Sequence, residues 1–177
     1  MPETPIDWNY VPAFADPYPA SYAGEPITDF VYATPLRLWR PIETVQNRRG
    51  KEDAEYFIDL DYTVTFAVGG RPASVTVPRG MLTDLASVPW FARWLVDRVG
   101  PHLEASIVHD FLYLAWQDVP GREARPADRD FADAVLIAGM KEAEVGGVAA
   151  WAIERAVRNF GWSVYSRRDQ WRYGKYW

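Results

Sequence analysis

The residues best suited to chemistry stand together in the run Ser106-Ile107-Val108-His109-Asp110-Phe111-Leu112-Tyr113. On a helix, His109 and Tyr113 are four residues apart and stack on one face. Asp110 projects about 100° away. An imidazole and a carboxylate thus aim at adjacent sectors. The imidazole can serve as a general base near neutral pH. The carboxylate can hold a hard cation. A second carboxylate, Asp128, falls in the first turn of a later helix and shares a stripe with Phe131, Ala132 and Val135. Asp130 and Asp133 fall on other sides of that helix. A carboxylate above a buried stripe needs a partner. The spacing therefore predicts that His109 donates one ring N–H to Asp128 across two antiparallel helices. That bond fixes the tautomer and leaves the other nitrogen free. A helix-to-helix tie of His109, Asp128 and Tyr113, with no turnover, uses the same side chains, and the sequence leaves both readings open.

Two further clusters are polar. Thr83, Asp84 and Ser87 sit in Thr83-Asp84-Leu85-Ala86-Ser87-Val88-Pro89. They either line the mouth of the His109 site or cap local backbone N–H groups. Ser87 lacks a Gly-x-Ser-x-Gly setting, so a serine hydrolase elbow is not expected. Trp151, Arg155, Arg158 and Trp162 form a stripe at helical spacing, followed by Arg167, Arg168, Arg172 and Lys175. Such a face either solvates itself, with Arg packed on Trp, or binds phosphates or nucleic acid.

The elements that must position these groups follow from periodicity. Tyr56, Ile58, Leu60, Tyr62, Val64, Phe66 and Val68 alternate with mostly polar partners. This period of two predicts one long strand with Leu60 on its core face. Gly69-Gly70 supplies a tight turn, and Ala73, Val75 and Val77 form the return strand. Residues 30–40 read as a strand broken near Pro35, and residues 47–53 as a charged loop. Helices are expected over 102–117, 127–144 and about 148–165, the last with Ala149, Ile153, Val157, Phe160 and Val164 on its apolar stripe. Strands first and helices afterward give an α+β fold: an N-terminal antiparallel β-hairpin or small sheet, then a three-helix C-terminal region. Residues 1–28, rich in proline and aromatics, read as an extended arm, 29–165 as one α+β domain, and 166–177 as a basic aromatic tail. Leu60→Asp is expected to bury a charge.

Composition narrows the function. The 177 residues carry 19 Lys and Arg against 24 Asp and Glu, a net charge of −5. A globally basic nucleic-acid binder is therefore not expected. With no cysteine and two histidines, thiolate chemistry and a three-His zinc site within one chain are excluded. No signal peptide and no transmembrane segment are expected. Nine Trp, ten Tyr and eight Phe cluster partly at the two ends. Those ends must pack either on the protein's own body or on a partner.

The ordered series Val77-Pro78-Arg79-Gly80, Thr83-Asp84-Leu85-Ala86-Ser87-Val88-Pro89, His109-Asp110-Phe111-Leu112-Tyr113 and Ala127-Asp128-Arg129-Asp130-Phe131 resembles a family of short proteins of unknown function carried by tailed phages and prophages. The resemblance covers about residues 30–162 and implies a phage-related origin. The His-Asp-x-x-Tyr run, with an Asp about twenty residues later on an antiparallel helix, is similar to phospholipases A2, the smaller prokaryotic and viral members above all. That second resemblance implies His109 as general base for water, Asp110 as a Ca²⁺ ligand, and Tyr113 and Asp128 as groups orienting His109. The chain departs from it in having only Gly100-Pro101 where calcium-loop glycines are expected, and no disulfides. Together these readings suggest a phage-encoded hydrolase acting on phospholipid or another envelope ester or amide, peptidoglycan included. The alternative is a non-catalytic virion or assembly protein docking other phage structural proteins through its arms. Either is expected in the bacterial cytoplasm on expression, with virion association.

Overall fold

Alternating side chains build the sheets, and 3.6-residue periodicity builds the layer that covers them. The computed structural model describes residues 6–40, 56–83, 102–168 and 172–176. The expected loop at 47–53, and Asp84 and Ser87, lie outside the described residues. Strands β1 (Ile27–Tyr32), β2 (Leu38–Trp39), β3 (Tyr56–Ile58), β4 (Tyr62–Val68), β5 (Arg71–Val77) and β6 (Leu82–Thr83) come first. Helices α1 (Leu103–Leu114), α2 (Pro126–Glu142) and α3 (Gly147–Tyr165) follow, with a 3-10 turn at Ala115–Gln117 continuing α1. The fold is α+β. Among the described residues the helical segments number four rather than the expected three, the 3-10 turn being the addition.

The strands form two antiparallel sheets, ordered β1-β4-β5 and β2-β3-β6. Strands β4 and β5 pair from Tyr62 opposite Val77 to Val68 opposite Arg71. Gly69 and Gly70 close this hairpin at φ 54° and 79°. A two-residue hairpin turn with both φ positive matches the twist of its strands, and glycine adopts it without steric cost.

The single strand expected over 56–68 is instead two strands in different sheets. The chain crosses between sheets at residues 59–61. There the Asp59 N–H donates to the Arg37 carbonyl (2.9 Å), and Asp61 Oδ1 accepts the Arg79 N–H (2.8 Å). Ile58 and Tyr62 stay buried on either side, but Leu60, at the crossover, is 43% exposed. Alternation survives the break as a pattern and fails at the one residue in its middle.

Sheet β1-β4-β5 faces the helices. Val64, Phe66, Val75 and Val77 pack in one buried cluster with Ile107, Val108, Phe111 and Leu112 of α1 and with Phe131, Ala132 and Val135 of α2. A second cluster joins Leu136 and Met140 of α2 to Ile153 of α3 and Ala105 of α1. Helix α2 is therefore buried on two flanks. Pro126 opens it at its first turn, where a missing N–H costs nothing. It ends with Glu144 at φ 53°, the Glu144 N–H on the Lys141 carbonyl and the Val145 N–H on the Met140 carbonyl. This is the paired closure that satisfies terminal carbonyls. Val164 is exposed rather than part of the apolar stripe, because the last turn of α3 packs through Tyr165.

The described parts of the arm and the tail pack on the body. Phe14 meets Phe111 edge-on at 5.2 Å. The buried Tyr18 hydroxyl donates to the Leu112 carbonyl and accepts the Trp116 N–H (3.1 Å). Asp7 and Lys175 exchange two backbone hydrogen bonds (2.8 and 2.9 Å), so the arm and the tail also pair with each other. Tyr176 stacks on Trp39 at 4.2 Å and donates to Asp59 (2.9 Å).

The exposure of Leu60 reverses the expected effect of a charge there. Leu60→Asp should change unfolding free energy by less than about 0.5 kcal/mol. Phe111→Ala, at a fully buried position, should cost about 3–5 kcal/mol. Denaturant titration of the two variants checks both values.

Candidate functional site

Helix α1 presents His109 and Tyr113 on one face, with ring centroids 4.0 Å apart. Both reach α2, and both reach the same atom. His109 Nε2 lies 2.9 Å from Asp133 Oδ1, and the Tyr113 hydroxyl donates to that oxygen at 2.7 Å. A carboxylate accepts hydrogen bonds, so Nε2 carries the proton that meets Asp133, and in the neutral form of the ring Nδ1 is the nitrogen with the lone pair. Asp133 is 6% exposed and His109 7%. The other carboxylate oxygen, Oδ2, faces Arg129 Nε at 3.8 Å. Burial, and then the charge and hydrogen bond of Asp133, push the Tyr113 pKa up, so its hydroxyl stays a donor.

The carboxylate that meets His109 is thus Asp133, not Asp128. Asp128 is also buried, but its partner is Arg122 of the preceding loop, Nη1 to Oδ2 at 2.5 Å. The same guanidinium donates Nη2 to Asp16 Oδ2 at 2.5 Å and lies 4.8 Å over the Tyr18 ring. Asp128 therefore ties the N-terminal arm to the start of α2. The reason for the exchange is the second buried flank of α2. Asp133, Leu136 and Met140 run at i, i+3 and i+7 along the side facing α1 and α3. A single apolar stripe through Asp128 conceals that flank. The run Asp133, Leu136, Met140 was the signal that could have revealed it. Spacing carries no trace of Arg129 and Arg122 as partners, because the reach of an arginine side chain does not register in it.

Of the other site residues, Thr83 and Asp110 come together. Thr83, at the end of β6, places its hydroxyl 3.4 Å from Asp110 Oδ2. The end of β6 thus lies beside the His109 helix. A calcium ion takes six to eight oxygens. The described residues supply this carboxylate and hydroxyl, and among them no group of three His, Cys, Asp or Glu could hold a metal. These donors alone do not make a calcium shell.

Helix α3 closes the third side of the cluster. A Cβ built on Gly161 would overlap the Tyr113 hydroxyl oxygen. Glycine here lets α3 press onto the group that holds Asp133. Gly→Ala inside a helix ordinarily stabilises by about 1 kcal/mol. At Gly161 the sign should reverse: Gly161→Ala should lower Tm in the native background and raise it in Tyr113→Phe, which lacks the obstructing oxygen. Thermal melts of the two singles and the double show whether the sign depends on that hydroxyl.

No curated protein and no solved structure matched the chain. A family match covers residues 60–157, a span that holds Thr83, His109, Asp110, Tyr113, Asp128, Arg129 and Asp133. The match takes in more than half of the sequence, and the chain belongs to the family described as protein of unknown function (DUF1353).

Proposed function

We propose that the protein is a hydrolase whose general base is His109, oriented by Asp133 and Tyr113 and acting on an ester of phospholipid type. The observation that supports this reading is the shared acceptor, Asp133 Oδ1, which takes hydrogen bonds from both His109 Nε2 and the Tyr113 hydroxyl. With Nε2 committed, Nδ1 is the nitrogen that accepts a proton from water. The hydroxide so formed attacks the ester carbonyl, and the tetrahedral adduct expels the alcohol. His109 returns the proton to that leaving oxygen. Asp133 remains ionised throughout and stabilises the imidazolium formed between the two transfers. Tyr113 holds the carboxylate so that it cannot rotate away. This keeps the likeness to phospholipases A2 with Asp133 in the place first given to Asp128. Asp110, bonded to Thr83, would be one ligand of a Ca²⁺ shell whose other oxygens the described residues do not supply.

The near-complete burial of His109 favours a second reading. There the same three side chains tie α1 to α2 in a non-catalytic phage virion or assembly protein.

Turnover separates the two. Release of fatty acid from phospholipid vesicles, measured with and without Ca²⁺, should fall at least ~10²-fold in His109→Ala and in Asp133→Asn. Asp128→Asn should lose stability more than turnover, because Asp128 serves the Arg122 tie. A native protein that releases no fatty acid under either condition, with His109→Ala and Asp133→Asn lowering only Tm, favours the tie.

A further inference from the structure

The face of α3 turned away from α2 has the wrong composition for a surface that meets only water. Val148, Trp151, Arg155, Arg158, Asn159 and Trp162 are all exposed. At spacings of three and four they share one side of the helix. Trp151 is 61% exposed and Trp162 42%. At 1.5 Å per residue the two indoles stand about 16 Å apart along the axis. The charge around them is one-sided. From Gly147 to Arg168 the chain has four arginines and a single acidic residue, Glu154, although the whole protein carries a net charge of −5. Glu154 pairs with Arg158 at 2.7 Å.

We propose that this face of α3 docks on an anionic lipid surface. Indole rings with exposed apolar edges, an aliphatic side chain in line with them, and guanidinium groups alongside are the composition of a helix lying in a membrane interface. Three observations favour a lipid headgroup layer over other anionic or apolar partners. The guanidinium of Arg155 already lies 5.8 Å over the Trp151 ring, so that ring face is not open to stack a base. The stripe runs along the exposed side of a single helix, whereas single-stranded nucleic acid is held in a groove. A second copy packed face to face would set arginines against arginines, which repel. A flat layer of phosphates, by contrast, accepts the arginines and the indoles together. The proposal stands on this surface alone and is independent of turnover at His109.

Co-sedimentation of the full chain with vesicles tests it. Vesicles containing phosphatidylglycerol should retain the protein, those of phosphatidylcholine alone should not, and added salt should release it. Binding should blue-shift tryptophan emission. Trp151→Ala/Trp162→Ala and Arg155→Gln/Arg158→Gln should each weaken retention at least ~10-fold while the chain stays folded by circular dichroism at the assay temperature. His109→Ala should bind as the native chain does, which separates failure of docking from failure of hydrolysis. Equal retention on both vesicle types, retention unaffected by the paired variants, or binding to a single-stranded oligonucleotide that the same variants abolish while vesicles leave the protein in the supernatant would each overturn the proposal.

Discussion

A buried carboxylate is the constraint around which the helical layer is arranged. An ionised Asp133 in an apolar setting costs several kcal/mol unless donors surround it. Here α1 supplies two donors from successive turns, and Arg129, one turn earlier on α2, stands near the remaining oxygen. The requirement propagates. His109 and Tyr113 must lie on the side of α1 that faces α2, which turns Ile107, Val108 and Phe111 toward the sheet. Tyr113 must keep its hydroxyl on Asp133, which leaves room for only a glycine at the facing position of α3. Removing one donor would leave the others bound to an undersatisfied charge, so the cluster acts as a unit.

A second ionic cluster fixes the N-terminal arm. Arg122 reaches Asp128 at the start of α2 and Asp16 on the arm, with the Tyr18 ring beneath it. The arm then runs past Phe111 and joins the C-terminal tail through Asp7 and Lys175. The aromatic residues that crowd the two ends are thus partly explained by the body they cover: Phe14 on Phe111, Trp8 on Phe57 and Tyr176 on Trp39. Trp151 and Trp162 of α3 remain largely exposed, Trp162 leaning on Tyr165 at 6.0 Å and Trp151 carrying Arg155.

Much of the fold was legible because its signals are local. Gly69-Gly70 between alternating runs leaves few options other than a hairpin, and Pro126 with Gly146-Gly147 places α2 at 127–144, within two residues of its actual ends at Pro126 and Glu142. What depends on a third element was not legible. Leu60 obeys the strand alternation, yet the chain changes sheets there, a choice made by β1 and β2 rather than by its neighbours. Asp128 obeys the apolar stripe of α2, yet Arg122 from the loop claims it. Asp133 lies off the apolar stripe through Phe131 and Val135, yet packing of α3 buries a second flank of the helix beside it. The residue types of the site were readable as His109 and Tyr113 on one face; their acceptor was set by tertiary packing.

The most direct measurement is the tautomer of His109, read from the two ring nitrogens in a long-range ¹H–¹⁵N spectrum under conditions where the imidazole is neutral. A hydrogen on Nε2 and a bare Nδ1, with Asp133→Asn loosening that preference and Asp128→Asn leaving it intact, is the expected result. A hydrogen on Nδ1, or a preference that responds to Asp128 and ignores Asp133, would contradict the role given to Asp133.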